Sequence, residues 1–319
     1  MPRRHGPPSP AQLSSVPLPT VHLARDVTPT HARAFVRDGT WLRARPGAYV
    51  VASDHATGTR TRSVALARMV ALTSQSTVPQ TFSHTSAAVA WGLPTVRSDG
   101  RTHVLQASRP GGRGDPGVVR HRALVPDGHR TQHRGLLVTT LERTLVDCIR
   151  TLPPLSGLII ADAALHVGAD RDRCAQMLAD LAGARGVVKA REILALADGG
   201  SESPGETTVR LEILRLGLPA PETQVRVETS ASTVWADLGW HDWALLVEYD
   251  GRSKYDGTPT EVLLKERRRQ DAVEDAGWHM VRVMKDDLRT PGLLRHRLLR
   301  HVPEDVRTSL RIRRVLNSR

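Results

Sequence analysis

The sequence predicts a mixed α/β (α+β) protein built from successive units: a small helix-and-hairpin unit, a mixed α/β middle region and a C-terminal αβββαβ core. Three observations predict it. The chain has 319 residues, enough for two or three domains. Its apolar pattern alternates along the chain between the helical period of 3.6 and the strand period of 2. Near the C-terminus an almost wholly apolar run, "WALLVEYDG", is bracketed by helical stretches, as expected of a strand covered on both faces.

Residues 1–20 are rich in Pro and Ser and read as a flexible tail. Residues 21–56 form the first unit. In "TPTHARAFVRDG" Thr28 caps a helix, Pro29 takes its first position and Gly39 ends it, with Ala32, Phe35 and Val36 as its apolar stripe. "TWLRARPGAYVV" follows as two short strands about Arg45-Pro46-Gly47. A helix followed by a basic hairpin is the local layout of a winged helix. Arg33 and Arg37 then face out from the helix, Arg43 and Arg45 from the wing, as DNA-binding candidates.

The middle region, 57–198, opens with a helix over 62–74. "TFSHTSAAVAWGLP" gives a helix capped at Ser83 and stopped by Gly92 and Pro94. "RTHVLQAS" and "GVVRHRALV" alternate as strands about a Gly-rich loop, whose spacing matches no phosphate-binding fingerprint. "VTTLERTLVDCIR" is an amphipathic helix with Leu141, Leu145 and Cys148 on one face, and further helices fill about 157 to 197. His121, His129 and His133 have no accompanying thiolate and no zinc-site spacing, so they are expected as solvated loop histidines.

The last unit, 199–319, starts after "ADGGSESPG". "SPGETTVRLEILRLGL" is a helix burying Val209, Ile213 and Leu214. "TQVRVET", "STVWADLGW" and "WALLVEYDG" are strands, "TEVLLKERRRQDAVEDAG" a helix and "WHMVRVM" a final strand. Glu248 and Asp250, two apart, share a strand face. With the preceding hairpin centred between Asp242 and Trp243, Asp237 falls opposite Glu248. Like charges at that spacing repel, and a divalent cation resolves the conflict. Mg²⁺ (or Mn²⁺) held there would polarise a phosphodiester and orient a water, and a lysine would stabilise the developing charge. Lys254 is the first candidate and Lys265 the second. Each acid has a plainer role available: Glu206 in the capping box Ser203-Pro204-Gly205-Glu206, Asp250-Gly251 in a turn, Asp237 paired with an arginine.

The formal net charge is +12, nearly all from arginine, since only Lys189, Lys254, Lys265 and Lys285 are lysines. Such a balance points to a polyanionic partner, DNA first. Cys148 and Cys174 make no disulfide framework, and no signal peptide or membrane span is evident, so a reducing cytoplasm is expected.

"SESPGE", "WADLGW", "LLVEYDGRSKY", "KERRRQDAVEDAGW" and "VRVMKDDL", over about 200–290, resemble the very-short-patch-repair-like endonuclease domain of the PD-(D/E)xK superfamily. The resemblance implies a restriction-endonuclease-like core with metal ligands Asp237 and Glu248, Glu206 assisting, and Asp250 standing where the motif lysine belongs. "FVRDGTWLRARPGAYV", "SHTSAAVAWGLP" and "VTTLERTLVDCIR", over about 20–195, are similar to AbiEi-type antitoxins of type IV toxin–antitoxin systems. That resemblance implies promoter binding by the winged helix, autoregulation and a toxin or defence-system partner.

Three functions follow, the third a toxin–antitoxin or defence component that acts through a protein partner. One is a DNA endonuclease dependent on Mg²⁺, with Glu206, Asp237, Glu248, Asp250 and Lys254 at its catalytic site. The alternative is an AbiEi-like regulator whose nuclease-like domain is an inactive scaffold. The agreement of several acids in type, face and order favours the enzyme.

Overall fold

A computed structural model describes residues 17–52, 60–96, 99–107, 114–251, 260–290, 292–313 and 316. The fold is mixed α+β, with eleven α-helices and three sheets among the described residues. The chain divides into two compact units, residues 1–152 with 167–191, and residues 153–166 with 192–319.

In the first unit, β1 (His22–Leu23) precedes α1 (Pro29–Arg37) and the hairpin of β2 (Trp41–Arg45) and β3 (Ala48–Val51). Thr28 Oγ1 accepts from His31 N at 3.4 Å and Pro29 takes the first turn, as its sequence predicts. The hairpin turns on Gly47, whose φ of 72° suits glycine. The strands lie antiparallel in the order β1-β3-β2. The expected stripe on α1 is only partly buried. Ala32 is covered, whereas Phe35 and Val36 are 37% and 40% exposed, with the Phe35 ring tilted 40° against Trp41 at 4.8 Å between centroids.

Next come α2 (Arg60–Gln75), β4 (Thr81–Phe82), α3 (His84–Trp91), β5 (Thr102–Gln106), β6 (Val118–Arg122), β7 (Arg130–His133), β8 (Leu136–Thr139) and α4 (Leu141–Thr151). The strands form a mixed sheet in the order β6-β5-β4-β8-β7. Its core joins Leu66, Met69 and Leu72 of α2 to Phe82, Val89, Val104 and Val138. Leu141, Leu145 and Cys148 of α4 are buried together, as their spacing predicts. The helical stretch after α4 resolves into α5 (Pro154–His166), α6 (Arg171–Asp180) and α7 (Val187–Leu196).

The second unit holds α5 and the predicted αβββαβ order: α8 (Pro204–Arg215), β9 (Glu222–Glu228), β10 (Thr233–Trp240), β11 (Leu245–Asp250), α9 (Thr260–Asp275) and β12 (His279–Met284). Two short helices, α10 (Leu293–Leu299) and α11 (Glu304–Ser309), follow. The sheet order is β12-β11-β10-β9, with β11 parallel to β12 and antiparallel to β10. Leu245, Leu246 and Val247 are fully buried. Leu245 and Val247 pack with Val209, Ile213 and Leu294, while Leu246 packs with Val225, Ala236 and Val273. An apolar run, not an alternating one, is what a strand covered on both faces requires.

The β9–β10 ladder breaks at one place. Ala236 pairs with Val225 and Leu238 with Thr223, but the ladder skips Asp237 and Gln224. Gln224 is left-handed, at φ 53°. Alternation shifts faces there: Ala236 packs on the Val273 side and Leu238 on the Val209 side. An interruption of this kind re-aims side chains and frees a position from the ladder.

Candidate functional site

The C-terminal acids gather around the end of β11. Leu238 with Val247 is the last pair of the β10–β11 ladder, and Asp237 and Glu248 each lie one residue beyond it. Asp237 is 3% exposed, and its Oδ2 accepts from the backbone N of Tyr249 at 2.8 Å. The start of α8 meets the same residue: a Cβ on Gly205 would fall 1.9 Å from the Tyr249 ring, so only glycine fits there. Tyr249 thus joins three elements. Its hydroxyl pKa is raised by burial and by the Asp250 charge beside it.

Glu206 lies just past that contact and closes its own helix. Ser203 Oγ donates to Oε1 at 2.9 Å, Glu202 N donates to Oε2 at 2.8 Å, and Ser203 Oγ accepts from Glu206 N at 3.2 Å. This is a variant of the capping box of its sequence motif, in which Glu206 reaches back to Glu202 N and the Ser203 hydroxyl instead of the N-cap N–H. Asp250 is half-buried at the end of β11, in register with Met284.

Glu248 is held by cations. Arg269 of α9 donates Nη1 to Oε2 at 2.9 Å and Nη2 to Oε1, and Nη2 also reaches Trp235 O at 3.0 Å. Arg282, in register with Glu248 on β12, sets Nε 3.9 Å from Oε2 and donates Nη2 to Glu266 Oε2 at 2.8 Å. The Glu248 side chain is 13% exposed. The sequence motifs assign neither arginine a role. Strand register makes Arg282 accessible to such a reading, but the reach of Arg269 depends on how α9 lies across the sheet.

This donor set does not fit the implied Mg²⁺. The cation needs carboxylate oxygens with free lone pairs and room for its waters. Both Glu248 oxygens are engaged by a guanidinium, and one Asp237 oxygen is engaged by backbone. Among the described residues no group of three or more His, Cys, Asp or Glu side chains is placed to hold a metal ion. Lys254 lies outside the described residues, and Lys265 falls within α9.

The candidate DNA-contacting arginines lie in the first unit. Arg33, Arg37 and Arg43 are exposed. Arg45 is not: its side chain is 16% exposed and its Nη2 meets Asp115 Oδ2 at 2.5 Å. Arg68 donates Nε to Ala44 O at 3.0 Å beside it. The expected outward-facing Arg45 is therefore a structural link from the wing to the segment before β6.

Comparison with known proteins gives the chain a family. The AbiEi antitoxin C-terminal domain model matches residues 81–196. Uncharacterized protein MT2308 of Mycobacterium tuberculosis (strain CDC 1551 / Oshkosh) is 34% identical over 223 residues, covering 68% of this chain and 79% of that protein. Uncharacterized protein Rv2248 of strain ATCC 25618 / H37Rv matches to the same extent. The chain belongs to the family of these mycobacterial proteins.

Within the AbiEi-matching stretch, the histidines depart from expectation. His121 is not a solvated loop residue: it lies on β6 in a cluster with His84 and His103. His84 stacks on His121 at 3.5 Å between centroids, and His103 Nδ1 lies 2.9 Å from His121 Nε2. Asp99 Oδ1 lies 3.2 Å from His103 Nε2. Burial first, then the neighbouring imidazoles, pull the His84 pKa down to about 2; burial and His103 lower that of His121 to about 4. His84 also has φ 51°, unusual for a non-glycine residue. His133 likewise is no loop histidine but ends β7, stacked on Trp91 at 4.2 Å. His129, in a short 3₁₀ turn, sits 3.4 Å from Arg143 Nη1. The parallel pairing of β5 with β6 brings His103 and His121 together, and sequence spacing alone could not show it.

A second buried cluster had a visible signal. Asp162 is the lone acid in the apolar run "LSGLIIADAALH" and is 1% exposed. Arg210 of α8 donates Nη2 to both its oxygens, at 2.7 and 2.6 Å, while Thr207 Oγ1 and Asp198 N donate at 2.9 and 2.8 Å. Nothing in the pair reaches solvent, so its role is to join α5 to α8.

Proposed function

We propose that this chain is a non-enzymatic, AbiEi-like regulator and antitoxin. It binds DNA through its basic N-terminal unit and works beside a toxin or defence-system partner. Its 199–319 segment keeps a nuclease-like framework without cutting. The match of residues 81–196 to the AbiEi antitoxin C-terminal domain carries this reading. The exposed Arg33, Arg37 and Arg43 on a helix and hairpin support DNA contact. The Arg269 clasp on Glu248 supports a retired nuclease site, because a guanidinium occupies the oxygens that a cation would need. Asp250 at the motif-lysine position agrees with it.

The endonuclease is the second reading. It is supported by Asp237 and Glu248 each lying one residue beyond the Leu238–Val247 pair within an αβββαβ order. For it to hold, Arg269 must leave Glu248 when metal and DNA arrive.

One experiment separates the two. The purified chain is tested for shifting a duplex of its own promoter, and for cutting plasmid and single-stranded DNA with Mg²⁺, Mn²⁺ or EDTA, beside Glu248→Ala. A shift without cutting is expected. Metal-dependent nicking that Glu248→Ala lacks would replace this reading with the endonuclease.

A further inference from the structure

The small sheet β1-β3-β2 has one face turned to the core and one lined with rings. Leu42, Ala44 and Val50 turn inward and pack with Ala67 of α2. Residues two apart share a strand face, and so do cross-strand partners. Tyr49 pairs with His22 on one side and with Arg43 on the other, so His22, Trp41, Arg43 and Tyr49 lie together on the second face. The rings stand in a row there. His22 stacks on Trp41 at 4.7 Å between centroids, and Trp41 on Tyr49 at 5.6 Å. From α1, Phe35 leans on Trp41, and His31 lies 6.4 Å from Phe35.

This row is not a closed core. Trp41 is covered, but His22 and Tyr49 are half-buried, and His31, Phe35 and Val36 are exposed. Phe and Tyr are scarce in the chain, which has two of the first and three of the second, yet one of each stands at this surface. The surroundings are basic. Residues 17–52 hold five Arg against two Asp. Arg43 is exposed across from Tyr49, and Arg33 and Arg37 are exposed on α1. Rings that reach solvent beside arginines offer a base a surface to stack on and its phosphate a counter-charge. In a duplex the base faces are hidden within the stack, so a duplex would meet only the arginines.

We propose that this face is a binding surface for single-stranded nucleic acid. Unpaired bases stack on Phe35, on Tyr49 and on the imidazoles of His22 and His31, while Arg43 takes a backbone phosphate beside them. Trp41, covered by its neighbours, is a positioning residue that holds the rings in line. The proposal rests on the reading that the N-terminal unit contacts nucleic acid, and it adds which form of nucleic acid that unit prefers.

The test is fluorescence anisotropy of a labelled oligo-dT with the full chain, beside a mixed-sequence duplex of the same length. Tighter binding of the single strand is expected. Phe35→Leu keeps an apolar side chain on Trp41 but removes the ring, and should weaken oligo-dT binding about tenfold with the salt slope unchanged. Tyr49→Leu should do the same, and Tyr49→Phe should not. Arg43→Ala should instead lower the slope of log affinity on log salt by about 0.7. Phe35 lies at the surface, so Phe35→Leu decides the matter if Tyr49→Leu fails to fold. The surface is overturned if the duplex binds as tightly as the single strand, or if both Leu variants bind oligo-dT like the wild type; a promoter shift retained in that case leaves the regulator reading standing. Single-strand preference that the Leu variants lose, in a chain that shifts no promoter duplex, keeps this surface and overturns promoter binding. A chain that binds neither form overturns both.

Discussion

Arg269 grips both carboxylate oxygens of Glu248. The pair is mostly buried, at 29% and 13% side-chain exposure. Removing Arg269 leaves Glu248, among the described residues, with the more distant Arg282 and a desolvated charge. Arg269→Ala should therefore destabilise the second unit by about 1–3 kcal/mol, measured as the urea midpoint at constant slope. Adding Mg²⁺ to the wild-type chain should leave its Tm unmoved. A rise of several degrees that Glu248→Ala abolishes would show the clasp to be displaceable by metal.

Asp162 and Arg210 are buried almost completely, at 1% and 2% side-chain exposure. Breaking the pair strands one charge. Asp162→Ala and Arg210→Ala should each cost about 3–5 kcal/mol by denaturant unfolding. Asp162→Leu with Arg210→Met should recover most of that loss, since apolar groups of similar volume need no partner. A double variant as unstable as the singles would contradict this account.

Gly205 and Tyr249 occupy the same small space. Gly205→Ala drives a methyl into the aromatic ring and should cost about 1–3 kcal/mol. In a Tyr249→Ala background the same change should cost far less. The measured coupling is the double-mutant difference.

The histidine cluster predicts an acid sensitivity. Folding lowers the pKa of His84 to about 2 and that of His121 to about 4. The unfolded chain therefore binds more protons below its ordinary histidine pKa, about 6.5. This stability is fully present above pH 6.5 and is lost as pH falls toward 4. The loss should be on the order of 1 kcal/mol per histidine per pH unit at the start of that window. His84→Asn, which tolerates a left-handed backbone, should flatten the dependence of Tm on pH between 6.5 and 5.

The four N-terminal arginines should separate into two classes. Arg33→Ala, Arg37→Ala and Arg43→Ala should each weaken DNA binding and make its salt dependence shallower, by about 0.9 in slope for each phosphate no longer neutralised. Arg45→Ala breaks the link to Asp115 and should lower Tm first. Equal DNA affinity across the three exposed variants would move the DNA surface away from α1 and its hairpin.

The elements and their covering are legible in the residues alone. Thr28 with Pro29 and Ser203 with Glu206 set two helix starts, because caps act within four residues. The apolar run Leu245–Val247 marks a central strand, because both faces of such a strand must be dry. Counting back from the hairpin gives the β10–β11 register, with Leu238 opposite Val247, because strand register is arithmetic once the turn is located. What those carboxylates touch is a matter of packing. Arg269 lies 21 residues beyond Glu248, on a helix whose tilt over the sheet no local pattern encodes. His84, His103 and His121 come from a helix and two parallel strands, Arg45 meets Asp115 at a separation of 70 residues, and Arg62 reaches Gly92 from another helix. Short-range sterics and hydrogen bonds set backbone periodicity and caps. The neighbours of a buried charge are set by how whole elements pack, and that packing separates a set of acids placed for metal from acids held by arginine.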